Sequence, residues 1–212
     1  MSQTVSQLIE DAGYDLQDSV TGETDGAVYT AAEMVSYVNR ALRILDNALS
    51  GIGSDWVLNE DTVSLSSGED SASAPTGTIF VRELWYSSNK VWKITPKDLY
   101  EKRKYIGSGT GRPYNFAHSG TDLLFDYEAD DDYDLTAYYD KRCNSTAKQK
   151  GDTMPYNHEF NEAIREAIVM MAKRRNEYDL SVDAAIQNWL FSQAKANARK
   201  RRKRERRYRL GF

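Results

Sequence analysis

The chain has 212 residues, 40% hydrophobic and 28% charged, with a formal net charge of −4. That composition belongs to an ordinary globular protein of one domain or two small ones. No apolar run approaches the ~18–20 residues of a membrane span, and Met1–Val5 lacks the basic-then-apolar layout of a signal peptide, so integral-membrane and classically secreted classes are not expected.

The first helix is expected over residues 4–12. Thr4 with Gln7 three residues later is a capping box. Val5, Leu8, Ile9 and Ala12 share one face, and Gly13 is a stop signal. Residues 20–29 read as a polar connection. Thr30 and Glu33 form a second capping box. Val35, Val38, Leu42, Leu45 and Leu49 then recur at spacings of three and four, one apolar stripe on a helix of roughly 30 Å. Gly51 and Gly53 end it.

The texture changes at Asp55. Up to about residue 150 the sequence is rich in β-branched and aromatic residues between turn signals. Trp56–Leu58, Thr62–Leu65, Ile79–Tyr86 and Val91–Ile94 read as strands, and Ser66–Gly77 as a loop. Thr95 followed by Pro96 reads as the N-cap and first position of a short helix reaching Tyr105. After the Gly107–Gly111 break come Pro113–His118, Leu123–Tyr127 and Tyr133–Asp140. The last two flank the acidic segment Glu128–Asp132 and are expected to form a hairpin.

Helical periodicity returns after Pro155, with Phe160, Ile164, Ala167, Ile168 and Met171 on one face. A further helix starts near Ser181 and carries Val182, Ile186, Trp189, Leu190 and Ala194. Its stripe ends near Ala198. The expected fold is therefore α+β. Segments 1–53 and 153–198 form a helical bundle, 54–152 is an inserted β-rich unit, and 199–212 is a basic C-terminal arm.

Few residues suggest chemistry. The single Cys143 and the two histidines, His118 and His158, exclude an intrachain disulfide framework and a Cys-rich zinc site. Gly107, Gly109 and Gly111 are followed by Arg112-Pro113, which fits neither a Walker loop nor a dinucleotide fingerprint; they read as a flexible loop. Asp130, Asp132 and Asp134 have calcium-loop spacing, but Leu135 and Lys141 stand where such a loop needs Gly and Glu. They read as a solvated turn. His158-Glu159 lacks the second histidine of a zinc helix, because position 162 is Glu. Asn144-Ser145-Thr146 is a glycosylation sequon by pattern only. The 14 tyrosines and four tryptophans read first as core and cross-strand packing, and secondarily as a binding surface. No catalytic site, metal or cofactor is expected, and the protein is not expected to be an enzyme.

The charge is unevenly spread. Between Lys195 and Arg209 ten basic residues face one acid, Glu205, which gives that stretch +9 and leaves −13 for the rest. An acidic body with a basic tail speaks to partners rather than to fold. Arg199, Lys200, Arg201, Arg202, Lys203, Arg204, Arg206, Arg207 and Arg209 form a cationic stem, with Tyr208, Leu210 and Phe212 at its tip. Charge would steer such an arm to an anionic partner, and the tip would fill a pocket there.

The layout resembles the head-to-tail adaptor (connector) proteins of tailed bacteriophages, particularly short-tailed ones. The residues that carry the resemblance are Tyr37-Val38-Asn39-Arg40-Ala41-Leu42, Gly111-Arg112-Pro113-Tyr114 and Leu123-Leu124-Phe125-Asp126-Tyr127. With them go the Asp-rich turn, Tyr133-Asp134-Leu135-Thr136-Ala137-Tyr138-Tyr139, and a closing helical pair with Phe160, Ala163, Ile164 and Ala167. The resemblance implies a structural virion protein at the head-tail interface, assembled in the host cytoplasm. It implies a homo-oligomeric ring of about twelve copies that binds the portal protein and receives a tail or nozzle protein. DNA would pass through the channel during ejection without being specifically bound, and residues 195–212 would dock on the portal. The competing reading is a nucleic-acid-binding protein acting through its basic tail, marked by a salt slope of about −5 to −7 for ~6–8 phosphate contacts. A carboxylate-dependent hydrolase finds no Asp/Glu spacing that singles out a pair.

Overall fold

A computed structural model of the protein describes residues 3–106, 109–143, 147–156, 158–174 and 184–197. In chain order the elements are α1 (Val5–Leu16), α2 (Ala31–Gly51), β1 (Leu58–Leu65), β2 (Ser71–Ser73), β3 (Thr78–Tyr86), β4 (Asn89–Lys93), α3 (Pro96–Ile106), β5 (Asn115–Ser119), β6 (Asp122–Phe125), β7 (Tyr133–Lys141) and α4 (His158–Lys173). A further helix, α5, covers residues 184–197. The described residues thus make a mixed fold of five helices and one nearly closed seven-stranded sheet. They fall into two compact units, one drawn from the two ends of the chain and one spanning Asp55–Arg142.

In the helical unit both expected capping boxes form. Thr4 caps α1 through Gln7, and Thr30 caps α2 through Glu33. Each satisfies two backbone donors that a helix N-terminus otherwise leaves open, worth about 1 kcal/mol per cap. The buried face of α2 is Met34, Val38, Leu42, Leu45 and Leu49, with Ala41 and Ala48 between them; Val35 is only half-buried. Phe160, Ile164, Ala167 and Ile168 give α4 its own buried stripe, and α4 packs against both α1 and α2. Ile186, Leu190 and Ala194 are the buried apolar residues of α5; Trp189 is half-buried. Ser181 and Val182 lie outside the described residues.

Gly13 does not end α1. The helix runs on to Leu16, and Gln17 closes it in the left-handed region (φ 55°), its N–H donating to the carbonyls of Gly13 and Tyr14. Gly13 is instead a point of close approach. A Cβ there would lie 2.8 Å from the Val20 carbonyl oxygen and 3.0 Å from that of Asp18. Both are backbone atoms that cannot swing aside. Gly13→Ala is therefore expected to destabilise the helical unit by about 1–3 kcal/mol of overpacking, net of at most ~1 kcal/mol of helix propensity gained. Urea unfolding followed by circular dichroism measures it, and a more stable variant would show that the approach is slack.

The connection from α1 to α2 is organised by Asp18. Its carboxylate accepts N–H groups of Ala27 (2.7 Å), Val28 (3.2 Å) and Tyr29 (3.0 Å). Burial opposes its ionisation, but these donors and Ser19 outweigh burial and hold its pKa below the ordinary carboxylate value. The chain returning from the β-rich unit is tied in by backbone bonds Val5 N–H to Asp152 O and Met154 N–H to Gln3 O. The Asn39 side chain on α2 pairs with the Lys148 backbone in both directions, at 2.7 and 3.0 Å.

The β-rich unit has strand order β1-β7-β3-β4-β5-β6-β2. β1 and β2, at the ends of that order, lie against each other. The enclosed core includes Val63, Leu65, Val81, Leu84, Val91, Phe116, Leu123, Phe125, Leu135 and Tyr139. Alternation along β7, from Tyr133 through Leu135 and Ala137 to Tyr139, sends every second residue inward, as a strand with one wet face requires. β4 and β5 are parallel, and α3 makes the crossover between them.

The structure differs from the sequence expectation at three places here. Trp56–Leu58 and Thr62–Leu65 are not two strands. Leu58–Leu65 is one strand, whose polar middle pairs with β7 while remaining exposed. The Ser66–Gly77 loop contains β2, paired with β6. Leu123–Tyr127 and Tyr133–Asp140 do not form a hairpin: β6 pairs with β5 and β2, and β7 lies between β1 and β3. The reason lies in the connecting segment, which is anchored rather than turning. Ala129 is buried, its N–H donates to Glu69 O, and its carbonyl accepts from Gly68 N–H. β6 instead forms a hairpin with β5, closed at Gly120 (φ 64°).

Candidate interaction surfaces

The arm singled out in the sequence, Arg199 to Phe212, lies outside the described residues. The last described turn before it belongs to α5, whose polar side carries the exposed Phe191. Two shallow grooves flank α5. One is lined by Ile44, Asn47, Ala48, Gln187, Asn188 and Phe191, the other by Asp15, Glu166, Val169, Met170, Lys173 and Trp189.

The β-rich unit presents the more developed surface. Trp92 is 62% exposed, Tyr114 50% and Phe80 46%, in a unit that has a full apolar core for side chains of this kind. Each has a cation beside it. Lys90 Nζ stands 5.6 Å from the ring centroids of both Trp85 and Trp92. Lys93 Nζ lies 3.1 Å from the Phe80 centroid, and the Arg112 guanidinium 4.7 Å from that of Tyr114. Such contacts are worth about 0.5–1 kcal/mol each when exposed. Glu83 clamps the middle of this strip, accepting from Lys90 at 2.6 Å and from Trp85 Nε1 at 3.0 Å. Those two bonds, Lys90 first, hold its carboxyl below the ordinary range. Lys93 donates to the Val81 carbonyl at 2.7 Å. Burial pulls its ammonium down to about 8, against the partial support of Asp140.

Beside the strip, α3 packs against β5. Leu99 is buried, and the two cations that follow reach inward. Lys102 donates to Asp126 at 2.9 Å. Arg103 bonds to the Phe125 carbonyl and pairs with Asp70 at 2.7 Å. Asp126 is almost fully buried and also accepts from the N–H groups of Tyr114 and Asn115, both at 3.0 Å, and from the Asn115 amide at 2.7 Å.

The other residues noted in the sequence serve local structure. Asp130 accepts the Tyr133 hydroxyl at 2.5 Å, a bond that, with burial, pushes that phenol up to about 12. Asp132 accepts from Ser67 N–H, and Asp134 from the Ser64 hydroxyl. Of the glycine-rich break, Gly107 lies outside the described residues, and Gly111 N–H is tied to Glu128 O. His158 is the first residue of α4. His118 is half-buried on β5; burial and the neighbouring Lys93 hold its pKa below the usual value. Cys143 and Asp46 both meet the buried Tyr156 hydroxyl, and burial raises that phenol's pKa. Asn144, Ser145 and Thr146 lie outside the described residues. Among the described residues no group of three or more His, Cys, Asp or Glu side chains could hold a metal ion. Among them, too, no helix is long and apolar enough to cross a membrane.

Sequence reasoning treated the aromatics as one population and did not single out the strip. The available signal was charge: from Lys90 to Arg112 there are seven basic residues and two acids, in a unit that is acidic elsewhere. A family model described as SU10 adaptor protein matches residues 3–211. No curated protein matches the chain.

Proposed function

We infer the role of this protein from one premise: the chain belongs to the SU10 adaptor protein family, a family of phage head-to-tail adaptors. Membership implies a structural component of the virion that associates with portal and tail proteins. The finer reading is that copies of the chain form a ring of about twelve below the portal, continue the DNA channel and receive the tail or nozzle protein. In that reading the helical elements act as a bundle, and Asp55–Arg142 is the module inserted into it. Residues 199–212 are the arm that docks on the portal. Assembly takes place in the host cytoplasm, and no catalytic step is involved.

The observation that carries this reading is the extent of the match, residues 3–211, which takes in both units and the arm. Physical chemistry supports it. Outside the arm the chain is strongly acidic, and an acidic channel wall lets a polyanion slide rather than stick. Heterologous contacts that close give rings.

The test is the mass of the purified protein alone and mixed with portal-bearing particles, at low and moderate salt. A protein of low mass that becomes a multimer of about twelve on the particles is the expected result. A protein that ignores the particles and shifts DNA with a salt slope of about −5 to −7 would replace this reading with the nucleic-acid one.

A further inference from the structure

We propose that the β-rich unit is self-complementary: the cation–aromatic strip across β3, β4 and the segment leading into β5 of one copy docks on the acidic β1–β7 wall of a second copy. The proposal rests on the ring reading above and names the contact that would build it.

The first argument is charge. With the internal pairs Lys90–Glu83, Lys102–Asp126, Arg103–Asp70 and Arg82–Asp140 set aside, residues 90–112 keep four cations against two acids, and the remainder of Asp55–Arg142 keeps ten acids against two bases. The excess acid includes Glu60 and Asp61, both exposed on β1, and Asp134, exposed on β7. Their wall also offers apolar area, because Leu58 is 37% exposed and the ring of Tyr138 stands opposite Glu60 in the register.

The second argument is topology. β3 of the strip is hydrogen-bonded to β7 of the wall, so the two surfaces are neighbouring stretches of one sheet. Side by side on that sheet, they cannot cover each other within one unit. Between copies they meet as unlike surfaces, which is a heterologous contact that propagates until it closes.

The third argument is composition. Trp92, Tyr114 and Phe80 are anchors of the kind that dominate interface energetics, while Arg112 and the exposed Lys97 and Lys104 supply the steering charge. Five residues in a row on β1, Leu58 to Thr62, are exposed, so the wall offers side chains for a docking surface to engage. Single-stranded nucleic acid also favours aromatics with cations. The net charge of the unit and the presence of the complementary wall on the same module favour a second copy.

The test uses the full chain with Cys143→Ser as background, bound to portal-bearing particles and treated with a short bis-maleimide linker. A chain carrying both Arg112→Cys and Glu60→Cys is expected to give a ladder of dimers, trimers and higher species. An equimolar mixture of the two single-cysteine chains is expected to stop at dimers, because each copy then has one reactive face. Adding Trp92→Ser to the double-cysteine chain is expected to reduce the ladder at least about tenfold. Multimers on the particles without cross-links would overturn the proposal and leave the adaptor reading standing. Absence of multimers on the particles would overturn the adaptor reading instead. The same cross-linking on concentrated protein alone then decides the contact, and no ladder there removes it. Cross-links that single-stranded DNA abolishes, together with DNA binding that Trp92→Ser removes, would assign the strip to nucleic acid and overturn the proposal.

Discussion

Asp126→Ala is expected to destabilise the β-rich unit by about 3–5 kcal/mol. The carboxylate is almost fully buried and takes bonds from the Tyr114 and Asn115 N–H groups, the Asn115 amide and Lys102. Removing it leaves two backbone donors with no acceptor, at roughly 1–3 kcal/mol each, and loses the bond from the Asn115 side chain. Lys102 is 37% exposed and can turn to water, so its loss adds little. In a unit of this size each kcal/mol is worth about 4–8 °C of melting temperature. A drop well above 10 °C, followed by the fluorescence of Trp85 and Trp92, is the expected observation. A loss below about 1 kcal/mol would show that water replaces the carboxylate.

The same residue sets an acid limit. Burial works against its ionisation, but the Asn115 and Tyr114 backbone donors, the Asn115 amide and Lys102 outweigh it, so the folded pKa lies below the ordinary 3.8. A depressed folded pKa means that the contribution is complete above the ordinary carboxylate range and is lost as pH falls through the folded value. The wild-type unit should therefore lose stability on acidification below about pH 4, and Asp126→Asn should flatten that part of the profile. An unchanged acid limb in Asp126→Asn would remove Asp126 as its source.

Deleting residues 199–212 is expected to abolish portal docking and to leave the fold intact. The buried apolar residues of α5, namely Ile186, Leu190 and Ala194, all precede the deletion. The fourteen residues removed carry nine of the chain's 28 basic side chains and the tip Tyr208, Leu210 and Phe212. Two milder variants separate steering from anchoring. Replacing Arg199 to Arg204 with glutamine should slow association and weaken its salt dependence. Replacing Tyr208, Leu210 and Phe212 with serine should instead speed dissociation. Docking of the truncated chain at full affinity would remove the arm from the portal interface. Loss of cooperative unfolding on truncation would place it in the core instead.

Local signals were legible where they are strong and self-contained. Thr4 with Gln7 and Thr30 with Glu33 are capping boxes because the reciprocal bonds span three residues of one helix turn, and nothing distant can veto them. The stripe from Val38 to Leu49 is likewise a property of one helix. Gly13 shows the opposite case. It reads as a stop because glycine is a poor helix residue, yet it is spent on an approach by Val20 and Asp18 that no local rule contains. The acidic segment between β6 and β7 reads as a turn because it is polar and short. It is a crossover, because Ala129 is held by Gly68 and Glu69, some sixty residues earlier.

Asp126 marks the boundary most clearly. Leu123-Leu124-Phe125-Asp126-Tyr127 and Gly111-Arg112-Pro113-Tyr114 stand in the sequence as two separate stretches that carry the family resemblance. In the fold they are one object, because the Asp126 carboxylate receives the Tyr114 N–H.

The sequence by itself determined the helical caps, the apolar stripes, the change to β texture at Asp55 and the charge split between body and arm. Each is set by covalent neighbours or by simple summation. Strand order and the pairing of β7 with β1 and β3 were decided only by the tertiary structure. Those features depend on which distant segments share a low-dielectric interior, and a buried donor bonds to any suitable acceptor that the closing sheet brings within about 3 Å.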